Sequence, residues 1–127
     1  MQNQKSALGM DGNVTALIGY LVGIVALVLI FIEKENKFVR FHAFQSVLWV
    51  AGVVVAGIAV LIVGSILGWV AGQAMGMLGV AVWGITMLLY VGLFLVMFGG
   101  LIFGAIKAYG GAMTKLPFVG NMAEKWA

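Results

Sequence analysis

Apolar residues fill two long stretches of this chain: residues 12–32 and 41–106 contain no Asp, Glu, Lys or Arg. A helix rises about 1.5 Å per residue, so about 20 apolar residues cross the roughly 30 Å hydrocarbon core of a bilayer. The first stretch predicts one membrane helix over residues 14–32. The second divides into two, over 43–67 and 77–106, each longer than the minimum and therefore tilted or protruding. A fourth crossing would leave no residues for turns. The pattern predicts an all-α integral membrane protein: a single membrane domain over residues 1–127 with three transmembrane helices, an amphipathic interfacial hinge between helices one and two, and a short C-terminal tail.

Polar residues punctuate this pattern. A tail over residues 1–13 ends in Asp11-Gly12-Asn13, where Asp11 or Asn13 can cap the helix that follows. The hinge carries Glu33, Lys34, Glu35, Lys37 and Arg40. Phe38, Phe41 and Phe44 recur every third residue, as do Lys34, Lys37 and Arg40, which predicts an amphipathic segment at headgroup level. Glu33 and Lys37 have the spacing of a modest, solvated helical ion pair. Arg40 can grip a lipid phosphate or pair with Glu124 of the tail. Beyond Lys107 the chain reads Lys115-Leu116-Pro117-Phe118-Val119-Gly120, whose proline ends any helix near Leu116. Residues 121–127 then suit one short amphipathic turn, with Phe118 and Trp126 as interfacial anchors.

The chain holds 19 glycines, several at the four-residue spacing that lets membrane helices approach closely. Gly19 and Gly23 share a face of helix one. Gly64, Gly68, Gly72 and Gly76 form a regular repeat, readable as a continuous glycine face or as a loosened turn. Gly100 and Gly104 do the same on helix three. These faces predict a tightly packed bundle, a homo-oligomer, or a seat in a larger membrane complex.

Charge sets the expected orientation. Of 7 Lys and Arg residues, only Lys5 precedes the hinge; Lys34, Lys37 and Arg40 lie in it, and Lys107, Lys115 and Lys125 follow helix three. Three spans place hinge and tail on one side, which the positive-inside rule makes cytoplasmic. The expectation is a multi-pass protein of the cell membrane with its N-terminus outside and its C-terminus in the cytoplasm. The net charge of +3 points to lipid headgroups as partners rather than nucleic acid, because most cations adjoin apolar segments.

Candidate chemistry is sparse. His42, Gln45, Ser46 and Trp49 fall on one helical face at the mouth of helix two, as a contact to neighbouring helices and headgroups or as a small binding or conduction site. With 1 His and 0 Cys, and no carboxylate in the spans, one chain offers no multi-ligand metal site, no cofactor site and no catalytic triad. The protein reads as non-enzymatic.

The hinge Glu33-Lys34-Glu35-Asn36-Lys37-Phe38-Val39-Arg40-Phe41-His42-Ala43-Phe44-Gln45-Ser46 and the tail Lys115-Leu116-Pro117-Phe118-Val119-Gly120 together resemble a large family of small prokaryotic membrane proteins of unknown function. That family is distantly similar to the small multi-span import component of the chloroplast inner envelope translocon. The resemblance implies a short helical membrane protein in which Arg40, His42, Ala43 and Gln45 match the hinge pattern and Lys115, Leu116, Pro117 and Gly120 match the tail. The combined expectation is an accessory or scaffold subunit packing through its glycine faces, with a protein-translocation or channel component as the alternative.

Overall fold

The computed structural model describes residues 4–127, so the first three residues of the expected polar tail lie outside it. Among the described residues all regular structure is helical, apart from one bridge between Lys5 and Asp11. The helices are α1 (Gly12–Leu21), α2 (Gly23–Ile32), α3 (Lys37–Ala74), α4 (Gly76–Tyr109) and α5 (Gly120–Trp126). Among the described residues, α3 and α4 are the helices long and apolar enough to cross a membrane; α2 is a shorter apolar helix. Contacts divide the chain into two units, Met1–Val50 with Phe98–Ala127, and Ala51–Met97.

The helix expected over residues 14–32 is interrupted. Val22 is extended, with φ −124° and ψ 96°, and the chain folds back on itself. A Cβ built on Gly19 would lie 3.8 Å from Ala26 Cβ and 3.7 Å from Leu29 Cδ1. In a continuous helix the seven steps to Ala26 and the ten to Leu29 would separate them from Gly19 by about 10 Å and about 15 Å. Helices α1 and α2 therefore form a hairpin of two arms of 10 residues, each about 15 Å long, half of what a crossing requires. Ala26 and Leu29 are buried in its seam, whereas Ile24, Leu27, Val28 and Phe31 face outward.

Both open ends of the hairpin meet the polar segments. The Ala7 N–H donates to Glu33 Oε2 at 2.6 Å, and Asn36 Nδ2 donates to the Gln4 carbonyl at 3.0 Å. Asn13 Nδ2 reaches the Tyr109 carbonyl at the end of α4. The N-terminal segment thus shares one end of its unit with the hinge and the tail. Where the sequence predicted three spans, the described residues hold two helices of membrane length and a shorter apolar one in a hairpin that returns to the end it left.

The hinge is likewise not a separate interfacial helix. Asn36 caps α3 directly, its Oδ1 accepting from the N–H groups of Phe38 at 3.1 Å and Val39 at 3.3 Å. Phe38 and Phe41 are buried in the protein instead of facing lipid, while Lys34 and Lys37 are exposed.

The spans expected over 43–67 and 77–106 lie inside α3 and α4, and the glycine-rich connection is a tight turn at Met75, whose carbonyl accepts from the Leu78 and Gly79 N–H groups. Within the unit Ala51–Met97 the two helices pack through small residues. An added Cβ would sit 2.7 Å from Thr86 Oγ1 at Gly64, 2.9 Å from Trp83 Nε1 at Gly68, and 2.9 Å from the Gly72 Cα at Gly79. Tyr90 donates to the Gly57 carbonyl at 2.8 Å. At Gly23, Gly72 and Gly76 an added Cβ would meet nothing within 4 Å. Most large side chains of this unit, including Val55, Ile66, Trp69, Ile85 and Leu88, are exposed, which suits a hydrocarbon solvent and not water.

Candidate functional site: a polar bracket around the C-terminal strap

Helix α4 ends where Gly111 takes φ 83°. The Ala112 N–H returns to the Lys107 carbonyl at 2.9 Å and the Gly111 N–H to Ala108 at 3.0 Å, the paired bonds of a glycine-terminated helix. Residues 112–116 continue as a non-helical strap whose main-chain groups have no strand to pair with. Backbone left unpaired in an apolar interior carries a desolvation penalty of kcal/mol size, so side chains must supply the partners.

His42 and Gln45, one turn apart on α3, supply them. His42 Nε2 lies 3.0 Å from the Ala112 carbonyl. A carbonyl only accepts, so Nε2 carries the proton and Nδ1 is left as acceptor for the Tyr20 hydroxyl at 2.8 Å. Tyr20 in turn accepts from Gln45 Nε2 at 2.7 Å. The same amide nitrogen donates to the Thr114 carbonyl at 3.0 Å, and Gln45 Oε1 accepts the Leu116 N–H at 2.8 Å. Every donor has an acceptor in this arrangement, which defines both the imidazole tautomer and the amide orientation. His42, Gln45 and Tyr20 are all buried, and the rings of Tyr20, Phe38 and Phe41 surround the imidazole edge-on.

Glycines of α4 seat the aromatic members. A Cβ on Gly104 would fall 2.5 Å from Tyr20 Cε1, and one on Gly100 would run into the Trp49 indole. Ser46 donates to the Gly19 carbonyl at 3.1 Å. That carbonyl would have received the Gly23 N–H in an unbroken helix, so Ser46 caps a group that the break at Val22 exposes.

At the hinge, Arg40 caps two helix ends. Its Nη1 donates to the carbonyls of Ile30 at 3.3 Å in the last turn of α2 and of Glu33 at 2.6 Å just after it; Nη2 and Nε reach the main-chain oxygens of Trp126 at the end of α5 and of Ala127 just after it. A cation at two carbonyl-rich helix termini also complements both dipoles. Its guanidinium lies over Phe44, which packs edge-on against Trp126. Glu124, an expected alternative partner, pairs with Lys115 instead, and Lys115 also donates to Asn121. Glu33 is buried, not solvated: its carboxylate takes the N–H groups of Ala7, Glu35 and Asn36. The expected side-chain cap on α1 is absent, because Asp11 accepts from Lys5 and Asn13 reaches toward Tyr109.

In the tail, Leu116 is buried and Gly120 packs so closely on Lys115 that a Cβ would collide with it. Pro117 precedes Phe118, which holds φ 68° with its side chain 97% exposed. Residues 33–46 and 112–127 are thus joined through His42, Gln45 and Arg40, with two residues that sequence reasoning passed over in supporting places: Tyr20 bridges His42 and Gln45, and Asn36 caps α3. The signals were present, in a lone tyrosine within an apolar run and an asparagine immediately before a helix.

The fold defines a small all-α protein with two apolar helices of membrane length among its described residues. The chain belongs to the magnetosome magnetite crystal formation protein family, whose model matches residues 4–123. It is 32% identical to a UPF0132 membrane protein of Methanocaldococcus jannaschii, covering 97% of this chain and 94% of the relative. A UPF0132 membrane protein of Archaeoglobus fulgidus is 33% identical, with 91% and 95% covered. A second Methanocaldococcus jannaschii protein of that name is 31% identical, with 94% and 73% covered. None of these names refers to a translocon, so kinship to the chloroplast import component is not among the findings. No solved structure matches the chain.

Proposed function

We propose that this protein is a non-catalytic scaffold of the cell membrane, acting as an accessory subunit alongside a second membrane-spanning chain. The observation that carries this reading is the use to which its buried polar groups are put. Among the described residues each buried side-chain nitrogen or oxygen has a partner, and those of His42, Gln45, Ser46, Asn36 and Arg40 hold main-chain groups of their own chain. A site for chemistry or conduction needs polar groups left over for a ligand. The family's name concerns magnetite, but the chain has 4 Asp and Glu and 1 His, with no group of three such residues among those described. The reading therefore assigns it a role in the membrane and not contact with a mineral.

The partner face is drawn from glycines that the fold leaves open. Gly64, Gly68, Gly100 and Gly104 are taken up inside the chain, whereas Gly84, Gly92 and Gly99 have nothing within 4 Å of an added Cβ. At 100° per residue those three fall within about 80° of one another on α4, a stripe where another helix could approach closely. Orientation also follows. With Lys5 at the same end as the hinge and tail, all the cations gather there, and the positive-inside rule makes both tails cytoplasmic.

Gly84→Leu and Gly92→Leu test this. After mild solubilisation of the native membrane, the wild type should co-purify with a membrane protein or a second copy, and both variants should lose it while staying folded. A wild type that emerges alone, or variants that keep their partner, would refute the scaffold reading.

A further inference from the structure

The C-terminal tail turns where its backbone is strained and its side chain is bare. Among the described residues Phe118 is the one non-glycine position with positive φ, at 68°, and it is 97% exposed. The Val119 N–H closes a three-residue turn on the Pro117 carbonyl at 2.8 Å, and the Gly120 N–H reaches the Leu116 carbonyl at 3.0 Å. A γ-turn of this hand is rare and strained. Leu116, buried with its N–H on Gln45, and Gly120, seated against Lys115, clamp the turn on both sides. The fold therefore holds an aromatic ring outward at a position where glycine would cost less. In water such a display gains nothing.

The depth of that ring follows from contacts with the first turns of α3. The strap meets His42 through Ala112, then Gln45 through Thr114 and Leu116, so it runs alongside α3 away from the hinge. Helix α5 runs back, because Trp126 and Ala127 lie on Arg40. The Pro117-Phe118 turn is thus the inner extreme of the tail, near the level of Gln45. That level is about 7 Å beyond Arg40 along the helix, inside the stretch that carries no charge from Phe41 onward. Lys115 points the other way: its ammonium reaches Asn121 and pairs with Glu124 of α5, toward the outer end, as a lysine beneath a membrane surface does.

We infer that residues 112–127 form a re-entrant lipid anchor, with the Phe118 ring inserted among acyl chains just beneath the headgroups. Interfacial segments bury their apolar groups about 5–10 Å into that boundary, which matches the level of Gln45. Trp126, expected as an equal anchor, sits back at the Arg40 level instead. The occupant is lipid, because lipid already surrounds α3 at this level and the strained turn delivers the ring to it without help. This rests on the membrane placement of α3 and needs no protein partner.

A chain with 0 Cys permits single-cysteine fluorophores at Phe118→Cys, Lys125→Cys and Val55→Cys, read at low protein density in phosphatidylcholine–phosphatidylglycerol vesicles. Iodide should quench Lys125→Cys at least about threefold more than Phe118→Cys, and a doxyl group high on the acyl chain should do the reverse. Equal iodide quenching at both would overturn the inference. So would a Phe118→Cys probe shielded from iodide and doxyl alike, which would mean that protein covers the ring. Failure of doxyl lipids to quench Val55→Cys, within α3, would instead remove the membrane placement on which the inference rests. Without any label, Phe118→Asp should speed tryptic cleavage after Lys115 at least about fivefold in vesicles, while Phe118→Leu keeps the wild-type rate. An aspartate variant cleaved no faster than wild type would overturn the anchor. An unfolded chain in detergent also keeps the ring out of water, so insertion is read as depth and protection and not as a melting midpoint.

Discussion

Replacing Gln45 with leucine tests the bracket most directly. The side chains are similar in volume, so packing changes little, but the Leu116 N–H and the Thr114 carbonyl both lose their side-chain partner. The Tyr20 hydroxyl keeps His42. Orphaning a buried backbone group costs about 1–3 kcal/mol, so two give roughly 2–6 kcal/mol. Hydrogen bonds measured inside membranes average nearer 0.6 kcal/mol, because the unfolded chain finds other partners there, and three lost bonds on that scale total about 2 kcal/mol. We therefore expect about 2–4 kcal/mol, concentrated in the strap.

The assay should read the strap and not only global unfolding. Leu116 is buried, so Leu116→Cys in the native background should react slowly with a water-soluble maleimide. Opening destabilised by 2 kcal/mol less raises the reactive population about 30-fold, and Gln45→Leu should raise the labelling rate by at least that factor. Denaturant titration of the same variants gives the global value. A rate increase below about threefold would mean that Gln45 does not hold the strap, and the account of His42 and Gln45 as backbone partners would fall with it.

Other outcomes follow from single contacts. Gly104→Ala should destabilise by about 1–3 kcal/mol through overpacking against Tyr20, while Gly99→Ala, with open space, should be neutral or gain up to about 1 kcal/mol of helix propensity; thermal melts in detergent compare the two. Arg40→Lys keeps the charge but cannot fork between two helix ends, so limited proteolysis should release the segment carrying α5 earlier than in wild type. Phe118→Gly should stabilise by about 1 kcal/mol, since glycine takes positive φ without strain and the side chain is nearly fully exposed; an unchanged or lower midpoint would mean that the ring is held by contacts. Gly68→Leu should displace Trp83, read as an altered tryptophan emission, whereas Gly76→Leu should leave it unchanged.

Much of the architecture was legible because bilayer thickness constrains apolar runs so tightly. Helices α3 and α4 contain the expected long apolar stretches. The break at Val22 was not legible, for a physical reason. Helix periodicity reports which face is apolar, and in residues 12–32 nearly every face is, so a straight helix and a folded hairpin have the same hydropathy profile. Glycine at 23 weakens the helix but does so at many other positions that remain helical. The misassignment of Glu33 has a similar origin: a carboxylate in a charged run looks solvated, and only the fold-back brings the Ala7 N–H to it.

The break and the polar face on α3 explain each other. Interrupting a helix in lipid exposes carbonyls that must find donors, and a strap at the end of α4 creates the same demand again. Ser46 answers the first at Gly19, while His42 and Gln45 answer the second, one of them through Tyr20 of the broken arm. The residues that the sequence singled out as the one polar constellation are therefore needed because two pieces of backbone leave regular helix nearby. That coupling makes a prediction of its own. Ser46→Ala should loosen the hairpin more than the strap, raising labelling of Val25→Cys more than that of Leu116→Cys, and Gln45→Leu should do the reverse. If both substitutions opened both positions equally, hairpin and strap would be one cooperative element, and the bracket could not be assigned to two separate breaks.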